Sequence, residues 1–237
     1  GLGYFTDRED TSFWDDAKVT HVIGKDIARF HALIWPSMLK AAGVRIPDQL
    51  LIHGFLTSEG DKMSKSLGNV VQPNDVLEKF AGNPDPIRFF LSHEIPVGND
   101  GDFAWDRFQE LYVGVLSNKI GNLLNRMLVL LQKEGGAVDV SRDEKEWQEL
   151  VADSWEKYKK YMETFDVSNA VSEAVALAVS GNVEMENKKP WTLEGEEKIH
   201  VLCGIAERLR HISLMLLPIM PDTAKRMSQQ LGVSYAD

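Results

Sequence analysis

The chain has 237 residues, with 26 Lys and Arg against 36 Asp and Glu, a formal net charge of -10 and 43% hydrophobic residues. This composition is typical of a soluble globular protein that is long enough for two modest domains. The acidic balance excludes nucleic-acid binding by bulk charge attraction, although a local basic cluster is still allowed. No apolar run approaches the roughly 18 residues of a membrane span. The single cysteine, Cys203, excludes a disulfide framework and a cysteine-rich zinc site, so a reducing cytoplasm is predicted.

The first hundred residues predict an α/β arrangement. Apolar runs at 19–23 and 50–57 predict buried strands, and residues 26–42 have apolar side chains at helical spacing, including Ile27, Phe30, Ile34 and Met38. Helices are predicted at 73–81 and 85–95, each with a proline in the first turn. A turn-rich stretch at 98–102 then places a domain boundary near residue 100, which gives domains 1–100 and 101–237.

The remaining residues predict an all-α domain. Apolar residues recur at helical spacing over 104–133, and further helices are predicted at 143–164, 168–185, 195–217 and 222–231. Gly and Pro separate these segments without a strand pattern between them. We therefore expect a helical bundle in the second half of the chain.

A lysine-serine loop follows the second predicted strand, with the sequence Lys62-Met63-Ser64-Lys65-Ser66. Lysine ammonium groups and serine hydroxyls can contact phosphate oxygens. Such contacts accelerate a reaction only if they strengthen as charge builds on a leaving pyrophosphate. A solvated surface turn is the alternative for an arbitrary sequence of this composition.

Two other groups of residues suit ligand binding near the predicted strand ends. Gly24 permits a tight turn after the first strand, Asp26 can accept hydrogen bonds from ribose hydroxyls or an ammonium group, and His31 can line a small apolar pocket. In the segment His53-Gly54, the glycine allows close approach of a flat base. A packed histidine and a simple strand bulge are the alternatives.

The predicted helix at 104–133 has a polar stripe, because Asn118, Asn122 and Arg126 are four residues apart. Amides and a guanidinium suit the unpaired base edges of a single-stranded RNA loop. Later in the chain, Trp191 follows Pro190 and can stack on a splayed base. A solvated helix face and a packed indole remain the alternatives.

These segments resemble one family. The pentamer 62–66 matches the KMSKS signature of class I aminoacyl-tRNA synthetases at every position. The segment from His21 through Gly24, Asp26 and His31 to Trp35-Pro36 resembles the methionyl-tRNA synthetase form of the class I Gly-x-Asp-x4-His element. Residues 114–126 are similar to the anticodon-binding helix of that family, and Lys189-Pro190-Trp191 is similar to its second contact element.

The resemblance implies the second half of a Rossmann-like nucleotide-binding domain followed by an anticodon-binding helical bundle. It implies methionine–tRNA ligase activity on methionine, ATP with Mg²⁺, and tRNA-Met. The residue roles that it implies are catalytic for Lys65 and Lys62, ATP-binding for Gly24, Asp26, His53, Gly54, Met63, Ser64 and Ser66, methionine-binding for His31, and anticodon-binding for Asn122, Arg126 and Trp191. Within these residues no metal site, and no zinc, is expected.

The sequence also departs from the family pattern. The HIGH motif and the first half of the nucleotide-binding fold precede the equivalent of Gly1 in the family, so we expect a fragment that is inactive alone. We also expect this fragment to be monomeric and to have no membrane association. Two alternatives remain. One is another class I synthetase, for leucine, valine, isoleucine or cysteine, and the other is a non-catalytic tRNA-binding protein derived from a synthetase.

Overall fold

The computed structural model describes residues 12–64, 66, 68–136 and 145–233, which form two compact units. The first unit comprises the described residues up to Leu56 together with Val97–Gly101. The second comprises Thr57–Pro96 and the described residues from Asp102 onward. Compactness thus groups residues 57–96 with the second half of the chain, whereas the domain division at residue 100 stays a prediction.

The first unit contains the predicted strand-helix-strand segment. Strands β1 (Thr20–Gly24) and β2 (Gln49–His53) pair in parallel, with Thr20 opposite Gln49 and Gly24 opposite His53. The first unit begins with α1 (Ser12–Asp16), and between the strands lie a 3₁₀ turn (Lys25–Ile27), a π-helical turn (Phe30–Ile34) and α2 (Trp35–Ala41). This is the architecture of an α/β domain, in which parallel strands are joined through a helix.

The apolar stripe of this connecting segment is largely exposed. Leu39 and Ile23 are buried, but Phe30 is 55% exposed, Leu33 64% and Met38 58%. The described part of the chain leaves these large apolar side chains uncovered.

The apolar run at 50–57 does not form one strand. It is divided at Gly54, where a Cβ atom would lie 2.0 Å from the Asn99 carbonyl oxygen. The next backbone amide, that of Phe55, donates to the Asp100 carboxylate at 2.8 Å. The contacts made by residues 99–100 therefore fall on the two residues between the end of β2 and the next strand.

A small three-stranded sheet follows, and most of its residues belong to the second unit. Its strands are β3 (Leu56–Ser58), β4 (Asp61–Lys62) and β5 (Gly101–Phe103), in the order β4-β3-β5. Glu59 and Gly60 make the two-residue turn between β3 and β4, and both have positive φ, at 53° and 84°. That backbone suits a tight antiparallel hairpin and favours glycine at the second position.

Helices make up the rest of the second unit. They are α3 (Pro73–Lys79), α4 (Asp85–Glu94), α5 (Trp105–Leu111), α6 (Asn122–Lys133), α7 (Lys145–Glu163), α8 (Val167–Lys188), α9 (Gly195–Leu216) and α10 (Pro221–Leu231). Tyr112–Gly121 continues α5 into α6 as a π-helical segment, and Pro190–Thr192 is a 3₁₀ turn between α8 and α9. Among the described residues after Phe103 there is no strand, which confirms the predicted helical bundle.

Close packing of α8 on α6 fixes the centre of the bundle. Ala170, Ala174 and Ala178 are fully buried on α8. One turn further, a Cβ atom on Gly181 would lie 2.7 Å from a methyl carbon of Leu123 on α6. Small side chains let the two helix backbones approach closely, so the polar residues that follow on each helix are held near one another.

A partly buried histidine gives the bundle a pH-dependent stability. The Trp155 indole donates to Nδ1 of His211 at 2.9 Å. Burial lowers the pKa of His211, nearby Arg210 lowers it further, and Glu207 acts in the opposite direction. A protonated ring would lose its acceptor for the indole, and the unfolded chain therefore binds this proton at a higher pH than the folded chain.

We expect the free energy of unfolding to fall as pH drops from 7 to about 5.5, because the folded pKa of His211 lies below the ordinary value of about 6.5. The slope that this one group contributes is at most about 1.4 kcal/mol per pH unit. Urea titrations at several pH values measure it. His211→Gln is expected to flatten the dependence, and equal slopes in the wild type and the variant would contradict the assignment.

Candidate functional site

The lysine-serine loop begins at strand β4, in a hairpin that several hydrogen bonds stabilise. Asp102 Oδ1 accepts hydrogen bonds from the Thr57 hydroxyl at 2.6 Å and from the Gly60 amide at 2.8 Å. The Glu59 amide donates to the Phe103 carbonyl at 3.1 Å. The hairpin that precedes Lys62 is therefore held by its own turn and by the neighbouring strand β5.

Asn69 closes the base of the loop. Its Oδ1 accepts from the Ser64 amide at 2.8 Å, and its Nδ2 donates to the Lys62 carbonyl at 3.2 Å. The Gly68 amide also donates to the Ser64 carbonyl at 3.1 Å. One asparagine side chain thus joins the two ends of the loop, and the sequence analysis missed this role although Asn69 is the third residue after the pentamer.

The described residues of the pentamer have distinct environments. Met63 is partly buried against the core of the second unit. The Ser64 and Ser66 hydroxyl oxygens lie 2.7 Å apart on the surface, and Lys62 is exposed at the end of β4. Lys65 lies outside the described residues. The arrangement anchors the loop by one apolar side chain and directs hydroxyl groups to solvent, which suits a loop that contacts phosphate oxygens.

Replacing Asn69 by alanine is expected to loosen the loop without unfolding the protein, because Asn69 is only partly buried. If the loop contacts pyrophosphate in the transition state, the kcat of methionine-dependent ATP–pyrophosphate exchange falls about tenfold while the KM for methionine is unchanged. Asn74→Ala, an exposed change at the start of α3, is the matched control. An unchanged kcat in the Asn69 variant would show that this brace is irrelevant to the reaction.

In the first unit, Gly24 and Asp26 lie together at the end of β1. A Cβ atom on Gly24 would lie 2.8 Å from the Asp26 carboxylate and 3.7 Å from the ring of His53, the residue opposite it on β2. Three of the seven residues assigned to ATP binding therefore meet at the carboxyl ends of two parallel strands. Ligands of open α/β sheets bind at that edge.

The structure gives Gly54 a packing role. The Asn99 carbonyl and the Asp100 amide lie against its Cα, so any side chain would collide with backbone. The same loop makes a salt bridge from the Asp100 carboxylate to the Lys25 ammonium group, with a 2.6 Å contact, and the Lys25 ammonium lies 4.5 Å from the Phe55 ring centroid. The ATP-binding role of Gly54 remains a prediction.

His31 lies beside a second histidine that the sequence reasoning did not nominate. The rings of His31 and His21 are 6.0 Å apart in an edge-on arrangement, and His31 Nδ1 is 3.1 Å from the Ile27 carbonyl, a distance at which it can donate. Burial lowers the pKa of His21, and the electrostatic influence of the neighbouring His31 lowers it further. The His21 ring is therefore held toward its neutral form at this position beside His31.

The bundle brings Arg126 and Trp191 together. The Arg126 guanidinium carbon lies 5.2 Å from the Trp191 ring centroid, which is a cation–π distance. The same guanidinium makes a 2.8 Å ion pair with Glu186, another residue that the sequence reasoning missed. Trp191 is 45% exposed, so part of its ring is open to a stacking partner while Arg126 lies over one face. We call these three residues the Arg126–Trp191 surface.

Backbone geometry at the end of α8 places the indole there. Lys189 is in the left-handed conformation with φ of 46°, and its amide donates to the Met185 carbonyl at 3.1 Å. Pro190 then begins the 3₁₀ turn and is buried, which leaves Trp191 on the surface. The Asn182 amide donates to the Lys119 carbonyl at 2.9 Å and ties α8 to the helix that carries Arg126.

Asn122 is exposed at the first residue of α6, one turn before Arg126. Asn118 is also exposed, and it lies in the π-helical segment Tyr112–Gly121 that leads into α6. The polar stripe that joins Asn118 to Asn122 and Arg126 stays a prediction. Asn122 and Arg126 on α6, together with Trp191, supply the polar and aromatic groups that suit a base.

Other features of the described residues lie away from these groups. A cavity of about 390 Å³ lies between the π-helical segment and α10, lined by residues such as Tyr112, Leu116, Ile120 and Met227. None of the predicted site residues lines it. Across the part of the chain that the structure describes, no cluster of three His, Cys, Asp or Glu residues could hold a metal ion, and no helix has the length and apolarity to cross a bilayer.

Comparison with known proteins decides the family. Residues 4–128 match the family model of class I tRNA synthetases (M), which is more than half of the chain. The chain belongs to the class I methionyl-type tRNA synthetases. Residues 134–237 match a second model, the anticodon binding domain of methionyl tRNA ligase. The α/β part and the helical bundle described above are thus those of this synthetase family.

Relatives of this synthetase family cover nearly the whole chain. A methionine–tRNA ligase from Fusobacterium nucleatum is 37% identical over 93% of the chain, and the chloroplastic/mitochondrial methionine–tRNA ligase of Arabidopsis thaliana is 40% identical over 90%. The structure of Mycobacterium tuberculosis methionyl-tRNA synthetase in complex with methionyl-adenylate aligns with a TM-score of 0.87 and 30% identity over 98% of the chain. The chain spans 36% of the length of each of those two ligases and 48% of that structure.

Proposed function

We propose that these residues serve a methionine–tRNA ligase, which joins methionine to ATP as methionyl-adenylate, releases pyrophosphate and passes the methionyl group to tRNA-Met. The observation that carries the proposal is the braced KMSKS loop in a chain of the methionyl-type synthetase family. A relative of that family was solved with methionyl-adenylate, which is the intermediate that this reaction requires.

In the proposed reaction, Lys65 and Lys62 stabilise the negative charge that develops on the leaving pyrophosphate. The serine hydroxyls and Met63 support the loop in that contact, and Gly24, Asp26, His53 and Gly54 bind the ATP nucleoside. The chain supplies positioning and electrostatic stabilisation, and it forms no covalent intermediate. His31, next to His21, borders the methionine site.

The Arg126–Trp191 surface and Asn122 are proposed to bind the anticodon. Stacking on an exposed indole is worth roughly 1–3 kcal/mol per base, and amide and guanidinium groups add hydrogen bonds to base edges. The net charge of -10 means that affinity comes from these local contacts and not from bulk attraction.

Mg²⁺ is proposed to arrive as part of the ATP substrate, since this ion is bound largely through substrate phosphates and water. A cytoplasmic location fits a chain with a single cysteine, Cys203, which is buried. We propose that this stretch of residues is monomeric by itself.

Two assays on the intact protein test the proposal. Methionine-dependent ATP–pyrophosphate exchange and charging of tRNA-Met are both expected, with little exchange when leucine, valine, isoleucine or cysteine replaces methionine. Exchange that prefers one of those amino acids would identify another class I synthetase. Binding of tRNA-Met without any exchange would identify a non-catalytic RNA-binding protein.

A further inference from the structure

Two charged side chains of helix α4 make hydrogen bonds to the segment between α9 and α10 and to the first turn of α10. Arg88 Nε donates to the Ile219 carbonyl at 2.6 Å, and its terminal nitrogen donates to the Pro218 carbonyl at 2.8 Å. One turn earlier, the Asp85 carboxylate accepts from the Thr223 amide at 2.5 Å. We call Asp85 and Arg88 the α4 clamp.

Each charged side chain of the α4 clamp has the sign that suits the helix end it contacts. The carbonyls of Pro218 and Ile219 follow the end of α9, where partial negative charge accumulates, and a guanidinium satisfies them. Thr223 lies in the first turn of α10, where Met220 provides no side-chain cap, so its amide needs an acceptor from elsewhere. The Asp85 carboxylate supplies that acceptor at the positive end of the helix.

Asp85 is unusual in its burial. It is 0% exposed, and its second oxygen, Oδ1, has no hydrogen-bond partner in the described part of the chain. An ionised or polar group in such a place is costly unless a specific contact compensates it. An apolar residue would pack in the same volume at lower cost, so the carboxylate must be explained by the contact with α10.

The clamp joins two parts of the second unit that have separate proposed roles. Helix α4 belongs to the segment 57–96, which carries the lysine-serine loop, and α9 and α10 belong to the bundle that carries the Arg126–Trp191 surface. Helix α9 packs directly on α8 and on the 3₁₀ turn of Trp191. A rigid chain of packed helices therefore runs from the RNA-binding surface to the clamp.

We propose that Asp85 and Arg88 are positioning residues that couple occupancy of the anticodon surface to amino-acid transfer, by fixing the bundle in register with the loop-bearing segment. This inference rests on the proposed function. Neither residue touches ATP, methionine or the anticodon. Their effect is a coupling between two sites, which appears in the response of the transfer step to the anticodon and not in either binding step.

The test uses Arg88→Gln in the intact protein, because Arg88 is an exposed residue whose replacement leaves the core unchanged. Wild type and variant are compared in pyrophosphate exchange, in affinity for an isolated anticodon stem-loop, and in charging of tRNA-Met with its native or an altered anticodon. Arg88→Lys retains one charged donor. Arg107→Gln removes a nearby exposed ion pair with Glu94 and leaves the turn untouched, so it is the matched control.

For Arg88→Gln we expect exchange and stem-loop affinity to stay within about twofold, while charging of tRNA-Met falls about tenfold and the penalty for an altered anticodon shrinks by a similar factor. Arg88→Lys is expected to restore part of the charging, and Arg107→Gln to resemble wild type. An unchanged anticodon penalty overturns the inference, and so does a parallel loss of exchange, stem-loop affinity and thermal stability. Wild-type protein without methionine-dependent exchange overturns the proposed function, and the inference with it.

Discussion

Replacing Lys65 by alanine in the intact protein is expected to lower the rate of methionyl-adenylate formation about 100-fold or more, which is the typical cost of losing one donor to a developing negative charge. The expected reason is that the ammonium group contacts pyrophosphate most strongly in the transition state. Methionine does not contact this loop in the proposed reaction, so its dissociation constant is expected to change by less than about threefold. Single-turnover formation of adenylate and equilibrium binding of methionine measure the two quantities.

Lys62→Ala and Lys65→Arg refine that result. Lys62 lies at the end of β4, where the loop leaves the sheet, and its replacement is expected to have the smaller effect. Lys65→Arg keeps the charge and is expected to recover part of the rate. Equal losses of adenylate formation and of methionine affinity would contradict a role confined to the leaving group.

The second large effect is expected at Trp191. Replacement by alanine removes the exposed ring and also the partner of the Arg126 guanidinium, so affinity for the tRNA-Met anticodon stem-loop is expected to fall about 10- to 100-fold. Trp191→Phe keeps a ring that can stack and is expected to lose less. Fluorescence or calorimetric titration with the stem-loop measures the affinities.

The control for this prediction is a stem-loop with a scrambled anticodon. Stacking with hydrogen-bond readout predicts that wild-type protein prefers the native loop and that Trp191→Ala loses most of the preference. An indole that only packs against Pro190 and the bundle would, when removed, weaken both loops equally and lower the thermal stability, and that outcome would remove Trp191 from the RNA surface.

Periodicity was enough to predict the bundle. Residues 145–163, 167–188 and 195–216 are helical as expected, because buried apolar side chains there recur every three or four positions. The π-helical winding at Tyr112–Gly121 was beyond prediction, since it depends on packing against helices distant in sequence. Asn118 lies in that winding, and its alignment with Asn122 and Arg126 stays a prediction.

Local sequence also failed where distant backbone decides the outcome. The apolar run at 50–57 predicts one strand, but the Asn99 carbonyl packs on Gly54 and divides it. The proximity of Arg126, Glu186 and Trp191 depends on the close contact between Gly181 and Leu123 and on the left-handed Lys189. The residue types of Arg126 and Trp191 were predictable, whereas their separation and the Glu186 ion pair required the fold.

The most direct test of the account measures methionine-dependent pyrophosphate exchange and anticodon stem-loop affinity side by side on two variants, Lys65→Ala and Trp191→Ala. We predict a clean separation: the lysine variant loses exchange and binds the stem-loop as wild type does, and the tryptophan variant keeps exchange and loses the stem-loop. If either change abolishes both exchange and stem-loop binding, or if it affects neither, then the KMSKS loop and the Arg126–Trp191 surface do not have the separate roles proposed for them.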